Sequence, residues 1–344
     1  MDTNLLQRFR HSLQEQRQNL TEWLANTPAW KKDIRLGPLS EKAAEAHLQV
    51  LDTAIEKADN RILGVCEVCH DYIEPARLEM DYTCCVCLDH LSAAERKHLE
   101  FELELATKIQ QALLPQQVPE IPGVELAAYS RPAAIIGGDF FDFYRFQDGA
   151  YGLVIGDAVG HGISASLLIS NLQASLRILV PDYDTPAAVV QRLNQLFFHN
   201  IRLTNFVTLF LAHFDPDTYR LTYSNAGHNP ALLFRPRANG RKRLSWLQPT
   251  GAAIGLVEEF DFGMAAVTLA PGDVLLLYTD GITEAMNPQQ EEFGQERLAE
   301  LVQQGANWSA QELVQEIRHR LHDYSQDQPL ADDTTIVAYK IMQP

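Results

Sequence analysis

Two apolar segments, each with an aspartate at one end, place the strongest constraint on what this chain can fold into. Phe140–Phe146 and Tyr151–Asp157 flank the turn Gln147-Asp148-Gly149, a pattern that predicts a β-hairpin. Antiparallel pairing would bring Asp139, at the start of the first strand, next to Asp157. Carboxylates crowded at buried strand ends repel each other and stay ionised when a cation lies between them. Because aspartate oxygens suit Mg²⁺ or Mn²⁺ better than zinc, the hairpin predicts a divalent-metal site.

Two further apolar segments abut acids of the same kind. Asp280 follows Val274–Tyr278, and the pair Asp332 and Asp333 precedes Thr335–Lys340. An acid at the rim of each core strand repeats the arrangement of the hairpin. Together these strand ends favour metal binding over a structural role, and the predicted ligands are Asp139, Asp157, Asp280 and Asp332.

Single aspartates beside glycine have more ordinary explanations. Asp148 and Asp215 are expected to serve turns. The run Gly137-Gly-Asp-Phe140 also suggests a diguanylate cyclase, but the acidic residue expected before the phenylalanine is absent. The cyclase interpretation is therefore disfavoured.

Four short motifs follow one another along the second half of the chain. They are Gly-Gly-Asp at 137–139, Gly-Asp-x-x-Gly-His-Gly at 156–162, Tyr-Thr-Asp-Gly-x-x-Glu at 278–284 and Asp-Asp-x-Thr at 332–335. This ordered set resembles the signature of the SpoIIE/RsbU branch of the metal-dependent (PPM superfamily) Ser/Thr protein phosphatases. The resemblance covers about 117–341, and connecting segments at 105–115, 225–230 and 251–255 match as well.

The resemblance implies a two-metal phosphatase that needs no covalent nucleophile. It implies that Asp139 and Asp157 hold the first ion, assisted by the backbone carbonyl of Ala158. Asp157, Asp280 and Asp332 would hold the second. Two ions bridged by Asp157 would lower the pKa of a water that attacks phosphorus in line.

The resemblance also implies supporting residues and a substrate class. Asp333 is expected to support the site by hydrogen bonding, and Glu284 to orient its loop. The animal branch has a histidine two residues after the bridging aspartate, but that position here is Val159. We interpret His161 as a loop-shaping residue and His228 as structural. The implied substrates are phosphoserine or phosphothreonine on small anti-anti-sigma (STAS-type) proteins.

The segments beyond Pro122 predict two antiparallel sheets. Strand-like segments are joined mostly by short turns and lie at 124–129, 140–146, 151–157, 206–214, 219–224, 231–234, 264–269, 274–278 and 335–340. Helical segments are predicted at 163–179, 186–201, 295–304 and 310–324. The expected fold class is α+β, an αββα sandwich of two antiparallel sheets flanked by helices, which the family resemblance also implies.

Length and charge bound the remaining functions. A chain of 344 residues is expected to hold two or three domains, which we place at 1–91, 92–116 and 117–344. The net charge of −17 argues against general nucleic-acid binding, since phosphate backbones need a basic surface. No charged-then-apolar leader follows Met1, and no apolar run approaches the roughly 18 residues of a membrane span. A cytoplasmic protein without membrane contact is therefore expected.

Helical periodicity near the N-terminus predicts an antiparallel helical hairpin. Apolar residues recur at helical spacing in two segments separated by prolines and glycine, and they are Leu6, Phe9, Leu13, Leu20 and Leu24, then Leu48, Leu51, Ile55, Ala58 and Ile62. The predicted tip between the two helices reads Trp30-Lys-Lys-Asp-Ile-Arg35.

All five cysteines lie just beyond this hairpin. Cys66-x-x-Cys69 and Cys84-x-x-Cys87 are separated by fourteen residues, a spacing typical of a structural zinc site with four thiolate ligands. Cys85 is left over, and the paired spacing prefers Cys84 to it. A disulfide is disfavoured by a cytosolic context, and reduced core thiols are disfavoured by the paired spacing.

This region is similar to a second family. The segments 51–57, 64–70 and 73–78 look like the DksA/TraR zinc-finger family, whose members pair a helical hairpin with such a finger and bind RNA polymerase. The alternative function is therefore an RNA polymerase-binding regulator of DksA type with a passenger phosphatase domain. That family carries acidic residues at the hairpin tip, whereas the tip here is mainly basic and aromatic.

A predicted linker helix joins the two regions. The capping box Ser92-Ala-Ala-Glu95 begins it, and it continues to about Leu114. It carries two apolar stripes, which are Leu99, Leu103, Ala106, Gln110 and Leu113, and Phe101, Leu105, Ile109 and Ala112. A helix that is apolar on two faces needs two partners. Our hypothesis is that the first stripe pairs with a second copy in a homodimer while the second rests on the phosphatase domain. The alternative is one helix packed into its own domain.

Overall fold

The computed structural model describes most of the chain in two compact units. The described residues are 3–26, 40–74, 77–78, 84–133, 135–160, 162–200, 206–238, 241–326 and 332–342. The two units are residues 1–102 and 103–344, so their boundary falls inside the predicted linker helix. The predicted hairpin tip, Trp30–Arg35, and His161 lie outside the described residues.

Two long helices form the N-terminal hairpin, as the periodicity predicts. Helix α1 (Thr3–Asn26) packs against α2 (Ser40–Asp59) through a small core of Leu13, Leu51, Ala54, Ala58 and Leu63. The exposed ion pair between Arg10 and Asp59, at 2.5 Å, contributes at most about 1 kcal/mol, so apolar contact holds the hairpin. Ile62 is exposed rather than buried, because α2 ends at Asp59 and the chain turns through Arg61 with a positive φ of 58°.

The predicted linker helix is α3 (Ala93–Leu113), and its capping box is formed. The Glu95 amide donates to Ser92 Oγ at 3.2 Å, and the Ser92 amide donates to Glu95 Oε2 at 2.9 Å. These bonds satisfy two amides that the first helical turn would otherwise leave unpaired.

The predicted roles of the two α3 stripes are wrong. Gln110, from the stripe assigned to a second copy, donates to the Gly137 carbonyl at 2.6 Å inside the second unit. From the stripe assigned to the phosphatase domain, Leu105 and Ile109 are 44% and 55% exposed. Residue spacing shows that two apolar stripes exist, but it does not show which neighbour each one meets.

The second unit is a sandwich of two antiparallel sheets, which confirms the predicted architecture. Its strands are β1 (Val124–Arg131), β2 (Asp139–Arg145), β3 (Tyr151–Ala158), β4 (Val207–Asp215), β5 (Arg220–Ala226), β6 (Ala231–Ala238), β7 (Arg241–Leu247), β8 (Ala265–Thr268), β9 (Val274–Tyr278) and β10 (Thr334–Ile341). Sheet A has the order β1-β10-β9-β6-β7, and sheet B has the order β2-β3-β4-β5-β8.

Helices cover the outer face of each sheet. Helices α4 (Gly162–Leu179) and α5 (Pro186–Asn200) pack on sheet B, and the one-turn helix α6 (Asp280–Thr283) follows β9. Helices α7 (Gly294–Gln304) and α8 (Ala310–Ser325) pack on sheet A. Short 3₁₀ turns occur at Leu88–His90, Val180–Asp182 and Gly305–Asn307.

Side-chain alternation sorts the strands between two kinds of core. Ile155 and Leu277 face the core between the sheets, whereas their neighbours Val154 and Leu276 face the helices. The core strands are therefore buried on both faces, which explains their nearly continuous apolar sequences.

Strand β7 is absent from the sequence prediction. Its sequence, Arg-Lys-Arg-Leu-Ser-Trp-Leu, opens with three basic residues, and it pairs with β6 at the end of sheet A. Leu244 and Trp246 nevertheless pack against the core under the helices. Edge strands commonly carry charged side chains, so their apolar pattern is weaker than that of a central strand.

Candidate active site

The β2–β3 hairpin brings the first two predicted ligands face to face. Asp139 lies directly opposite Asp157 in the ladder, and Asp148 Oδ1 accepts the Ala150 amide at 2.9 Å in the turn, as expected. Asp157 has the same parity along β3 as the inward-facing Ile155. The two carboxylates therefore lie on the inner face of sheet B, and Asp139 is only 7% exposed.

The other predicted ligands come from sheet A. Strands β9 and β10 pair Tyr278 with Ile336, so the residues that follow Tyr278 lie beside those that precede β10. Asp280 begins α6, and Asp332 Oδ1 accepts the Asp333 amide at 2.8 Å. Each sheet thus contributes two acids to one end of the sandwich.

Asp333 ties this end of sheet A to the loop before Asp139. Its two carboxylate oxygens accept the Ala133 amide at 2.7 Å and the Gly138 amide at 2.5 Å. A β-carbon on Gly137 would collide with this carboxylate, which explains the glycine there. The geometry agrees with a supporting role by hydrogen bonding.

Glycines also allow two other backbone segments to approach the site. A β-carbon on Gly281 would collide with the Asp333 carbonyl oxygen, so only glycine lets α6 pack on this loop. A β-carbon on Gly138 would lie 3.0 Å from the carbonyl oxygen of Ala158. The backbone amide of Ala158 donates to the Gly138 carbonyl at 3.0 Å. The predicted carbonyl ligand therefore lies beside the Gly-Gly-Asp loop.

Burial and mutual repulsion raise the pKa values of these carboxyl groups. The pKa of Asp157 rises to about 9, first because its side chain is buried and then because Asp139 and Asp280 lie nearby. Burial also raises the pKa of Asp139, and hydrogen bonds from Thr279 and Thr335 oppose that rise. A cation bound between these buried acids would relieve their mutual repulsion and stabilise their ionised forms.

The donor chemistry fits a hard divalent cation. Burial raises the pKa of Asp280 as well, and electrostatic repulsion from Asp332 raises it further. Burial likewise raises the pKa of Glu284, and electrostatic repulsion from Asp280 raises it further, so Glu284 lies at the edge of this set of acids. Carboxylate and carbonyl oxygens are the ligands that Mg²⁺ and Mn²⁺ prefer. Among the described residues, however, the only group of three or more candidate ligands within 4.8 Å of one another is a cysteine and histidine cluster.

That cluster lies in the N-terminal unit and differs from the predicted zinc ligands. It consists of Cys66, Cys69, Cys87 and His90. Cys87 Sγ lies 3.0 Å from His90 Nδ1 and 3.8 Å from Cys69 Sγ. Cys84 is outside the cluster, and its sulfur accepts the Arg77 Nε–H at 3.4 Å.

His90 joins the three cysteines of this cluster because of a local turn. The 3₁₀ turn Leu88–His90 follows Cys87 directly, and the His90 amide donates to the Cys87 carbonyl at 3.1 Å. Counting Cys-x-x-Cys spacings does not reveal this turn. A histidine three residues after a cysteine was the available signal, since histidine is also a common zinc ligand.

Sequence reasoning also missed residues that support the acids. Thr279 Oγ1 donates to Asp139 Oδ2 at 2.7 Å, and Gln110 on α3 makes two bonds to the Gly137 backbone. Thr279 shares the parity of Leu277, so alternation along β9 indicates that it faces inward.

His228 is buried, as a structural role predicts. Its Nδ1 lies 2.8 Å from Thr208 Oγ1, and burial lowers the pKa of His228 to about 4. Thr208 in turn donates to the Asp157 carbonyl at 3.3 Å. A neutral imidazole therefore supports the strand next to Asp157.

Comparison with known proteins decides the family. The family described as Stage II sporulation protein E (SpoIIE) matches residues 147–342, which is more than half of the chain. The chain belongs to the SpoIIE family. The match contains Asp157, Asp280 and Asp332, while Asp139 lies just before it on the paired strand.

Relatives of this SpoIIE-family chain are named phosphatases. It is 29% identical over 247 residues to the phosphoserine phosphatase RsbU of Bacillus subtilis (strain 168), an alignment that covers 71% of each chain. It is 30% identical over 187 residues to the phosphoserine phosphatase RsbP of the same organism. That alignment covers 53% of this chain and 45% of RsbP, so the chain matches less than half of RsbP.

Solved structures place the SpoIIE region in the PP2C phosphatase fold. The SiaA-PP2C domain of Pseudomonas aeruginosa aligns with a TM-score of 0.63 and 25% identity, over 72% of this chain and 99% of that domain. The RsbU and RsbW domains of a Mycobacterium tuberculosis protein align with a TM-score of 0.56 and 26% identity, over 67% of this chain and 64% of theirs. The second unit is thus a phosphatase domain of PP2C type. None of the described helices combines the length and apolar character that a membrane crossing requires.

Proposed function

We propose that this chain removes phosphate from phosphoserine or phosphothreonine on a regulatory partner protein, using two divalent metal ions. The observation that carries the proposal is the pairing of Asp139 with Asp157 opposite Asp280 and Asp332 at one end of the sandwich. Kinship with RsbU and RsbP, which are named phosphoserine phosphatases, supports the reaction class.

The five acids would have different roles in the site. Asp139, Asp157 and the Ala158 carbonyl would hold one ion, and Asp157, Asp280 and Asp332 the other. Bound Mg²⁺ or Mn²⁺ would supply the activation of a water for attack on phosphorus and would offset charge on the phosphoryl oxygens. Asp333 would hold the Gly-Gly-Asp loop through its two amide bonds.

The partner that fits this family is a small anti-anti-sigma protein of STAS type that carries the phosphorylated residue. RsbU-type relatives support the assignment to a partner-switching pathway. Such a chain would act on a protein substrate rather than on nucleic acid, in agreement with the net charge of −17.

Helix α3 would carry regulation from the N-terminal module to the acids. The Gln110 side chain donates to the Gly137 carbonyl at 2.6 Å and accepts the Gly137 amide at 3.1 Å. The carbonyl of Leu113, the last residue of α3, is also held, since it accepts from Gln173 at 2.5 Å and from Arg177 at 3.0 Å. A shift of α3 would therefore move the loop that presents Asp139.

A homodimer would use the exposed stripe of the same helix. Phe101, Leu105 and Ile109 are 59%, 44% and 55% exposed and recur every four residues. A second copy would cover this stripe by helix pairing. The other face of α3 would remain on the phosphatase domain through Gln110 and Leu113.

The N-terminal unit would bind one structural Zn²⁺. Cys66, Cys69 and Cys87 fit the predicted thiolate ligands, and His90 supplies a nitrogen in place of Cys84. The ion would tie the 3₁₀ turn at Leu88–His90 to the Cys66–Cys69 turn.

The direct test is release of phosphate from a phosphoserine peptide by the full chain with and without Mn²⁺. We expect metal-dependent release that Asp157→Asn reduces at least a hundredfold. Asp148→Asn is the matched control, because that acid serves the hairpin turn on the same two strands. Equal activity of Asp157→Asn and the unaltered chain would refute the assignment.

A further inference from the structure

Thr279 lies between the last residue of β9 and the acid Asp280, and it is fully buried. It directly follows a strand of sheet A, yet its hydroxyl donates to Asp139 Oδ2 on sheet B at 2.7 Å. This hydrogen bond therefore connects Asp139 to the residue that directly precedes Asp280.

The hydroxyl group of Thr279 has a fixed direction. Its Oγ1 accepts the Thr335 amide at 2.9 Å, while the Thr279 amide donates to the Thr335 carbonyl at 3.1 Å. Because the oxygen is already an acceptor for an amide that cannot turn, its single proton is directed to Asp139. A hydroxyl that donates to a carboxylate forms a strong, charge-assisted bond when that carboxylate is ionised.

The local role that a threonine usually has at this position is not used. Thr279 is the N-cap of α6, but its side chain makes no capping bond to that helix. The hydroxyl serves β10 and Asp139 instead.

We propose that Thr279 is a positioning residue that fixes the carboxylate of Asp139 relative to Asp280 and so sets the spacing of the two halves of the metal site. The proposal rests on the proposed function, because it assumes that these acids bind the ions. Partners of this kind, which orient a ligand without touching the metal, typically change metal affinity by 10- to 100-fold when removed.

The test is direct titration of Mn²⁺ binding to the full chain, followed by the electron paramagnetic resonance signal of free Mn²⁺. Thr279→Val keeps the shape and removes the hydroxyl, and we expect a loss of Mn²⁺ affinity of at least tenfold. Thr279→Ser restores the hydroxyl, and we expect affinity within about threefold of the unaltered chain. At saturating Mn²⁺, the kcat of Thr279→Val should be lower than that of the unaltered chain by a smaller factor than its Mn²⁺ affinity is.

A matched control removes a comparable hydroxyl elsewhere. Thr250 Oγ1 also accepts a backbone amide at 2.9 Å, from Asn225, but its hydroxyl donates to the Asn225 carbonyl at 3.4 Å and lies 3.5 Å from Ser224 Oγ, where Thr279 has the Asp139 carboxylate. Thr250→Val should therefore leave Mn²⁺ affinity unchanged even if it lowers the unfolding temperature. If Thr279→Val does not fold, Thr279→Cys replaces it, because a thiol is a weak donor of similar size to serine.

The outcomes separate this proposal from the one on which it rests. If Thr279→Val, or the folded Thr279→Cys, binds Mn²⁺ as tightly as the unaltered chain does, the role proposed for Thr279 is overturned. The phosphatase assignment would then still stand. An unaltered chain that binds no Mn²⁺ would overturn both. Failure of Thr279→Ser to restore binding would also overturn the role of the hydroxyl.

Discussion

Replacing Asp157 by asparagine should stabilise the metal-free protein while abolishing its response to metal. The folded protein holds the pKa of Asp157 at about 9, against an ordinary value of 3.8, because the group is buried among other acids. Between these two values the unfolded chain loses the proton that the folded chain keeps. The unfolded state then binds fewer protons, so the free energy of unfolding falls as pH rises through this window.

The size of the effect follows from the pKa difference. At pH 7 the unfolded carboxyl group is about three pH units above its pKa of 3.8, which corresponds to at most about 4 kcal/mol. At pH 5.5 the same reasoning gives about 2 kcal/mol. Asparagine carries no such penalty. For a domain of this size, about 2 kcal/mol corresponds to roughly 4–8 °C in unfolding temperature.

The assay is thermal unfolding of the full chain in EDTA at pH 5.5 and 7, repeated with Mn²⁺. We expect the Tm difference between Asp157→Asn and the unaltered chain to grow by several degrees between the two pH values. Added Mn²⁺ should raise the Tm of the unaltered chain and leave that of the variant unchanged. The exposed turn acid offers a control, since Asp148→Asn should show no such gain. A Tm difference that is the same at both pH values would refute the reasoning.

Three further perturbations test other parts of the molecule. Gln110→Ala removes two hydrogen bonds to Gly137 and should lower phosphatase activity at limiting Mn²⁺ by about tenfold, which Mn²⁺ titration of activity would measure; unchanged metal dependence would contradict the link through α3. His90→Ala should lower the zinc content measured by mass spectrometry, whereas Cys84→Ser should leave it near one ion per chain; the opposite pattern would restore Cys84 as the ligand. Ile109→Asp should shift the mass measured by light scattering from two chains to one, and a dimer that persists would exclude the exposed stripe as its interface.

Much of the candidate site could be predicted because its parts are local in the sequence. Each predicted acid ends or begins a short apolar strand, and a strand end is visible within about eight residues. The hairpin turn at Asp148 and the capping box at Ser92 are equally local, and both are formed. Alternation would have placed Thr279 on the inner face, but its partner Asp139 is 140 residues away in the chain.

Where the prediction was wrong or incomplete, contacts with another segment of the chain determined the outcome. Spacing favours Cys84 as a metal ligand, but the turn at Leu88 brings His90 to Cys87 instead. The two stripes of α3 are nearly alike in apolar character, and only the position of Gly137 beside Gln110 decides which one faces the domain.

The sequence by itself determined nine of the ten described strands and the acids expected at their ends, because apolar strand patterns and turn chemistry act over a few residues. The tertiary structure alone decided how the two sheets meet. That meeting places Thr279 against Asp139 and Asp333 against the Gly138 amide, and it raises the pKa of Asp157. Burial and repulsion depend on distances between segments far apart in the chain, and so they arise only when the sandwich closes.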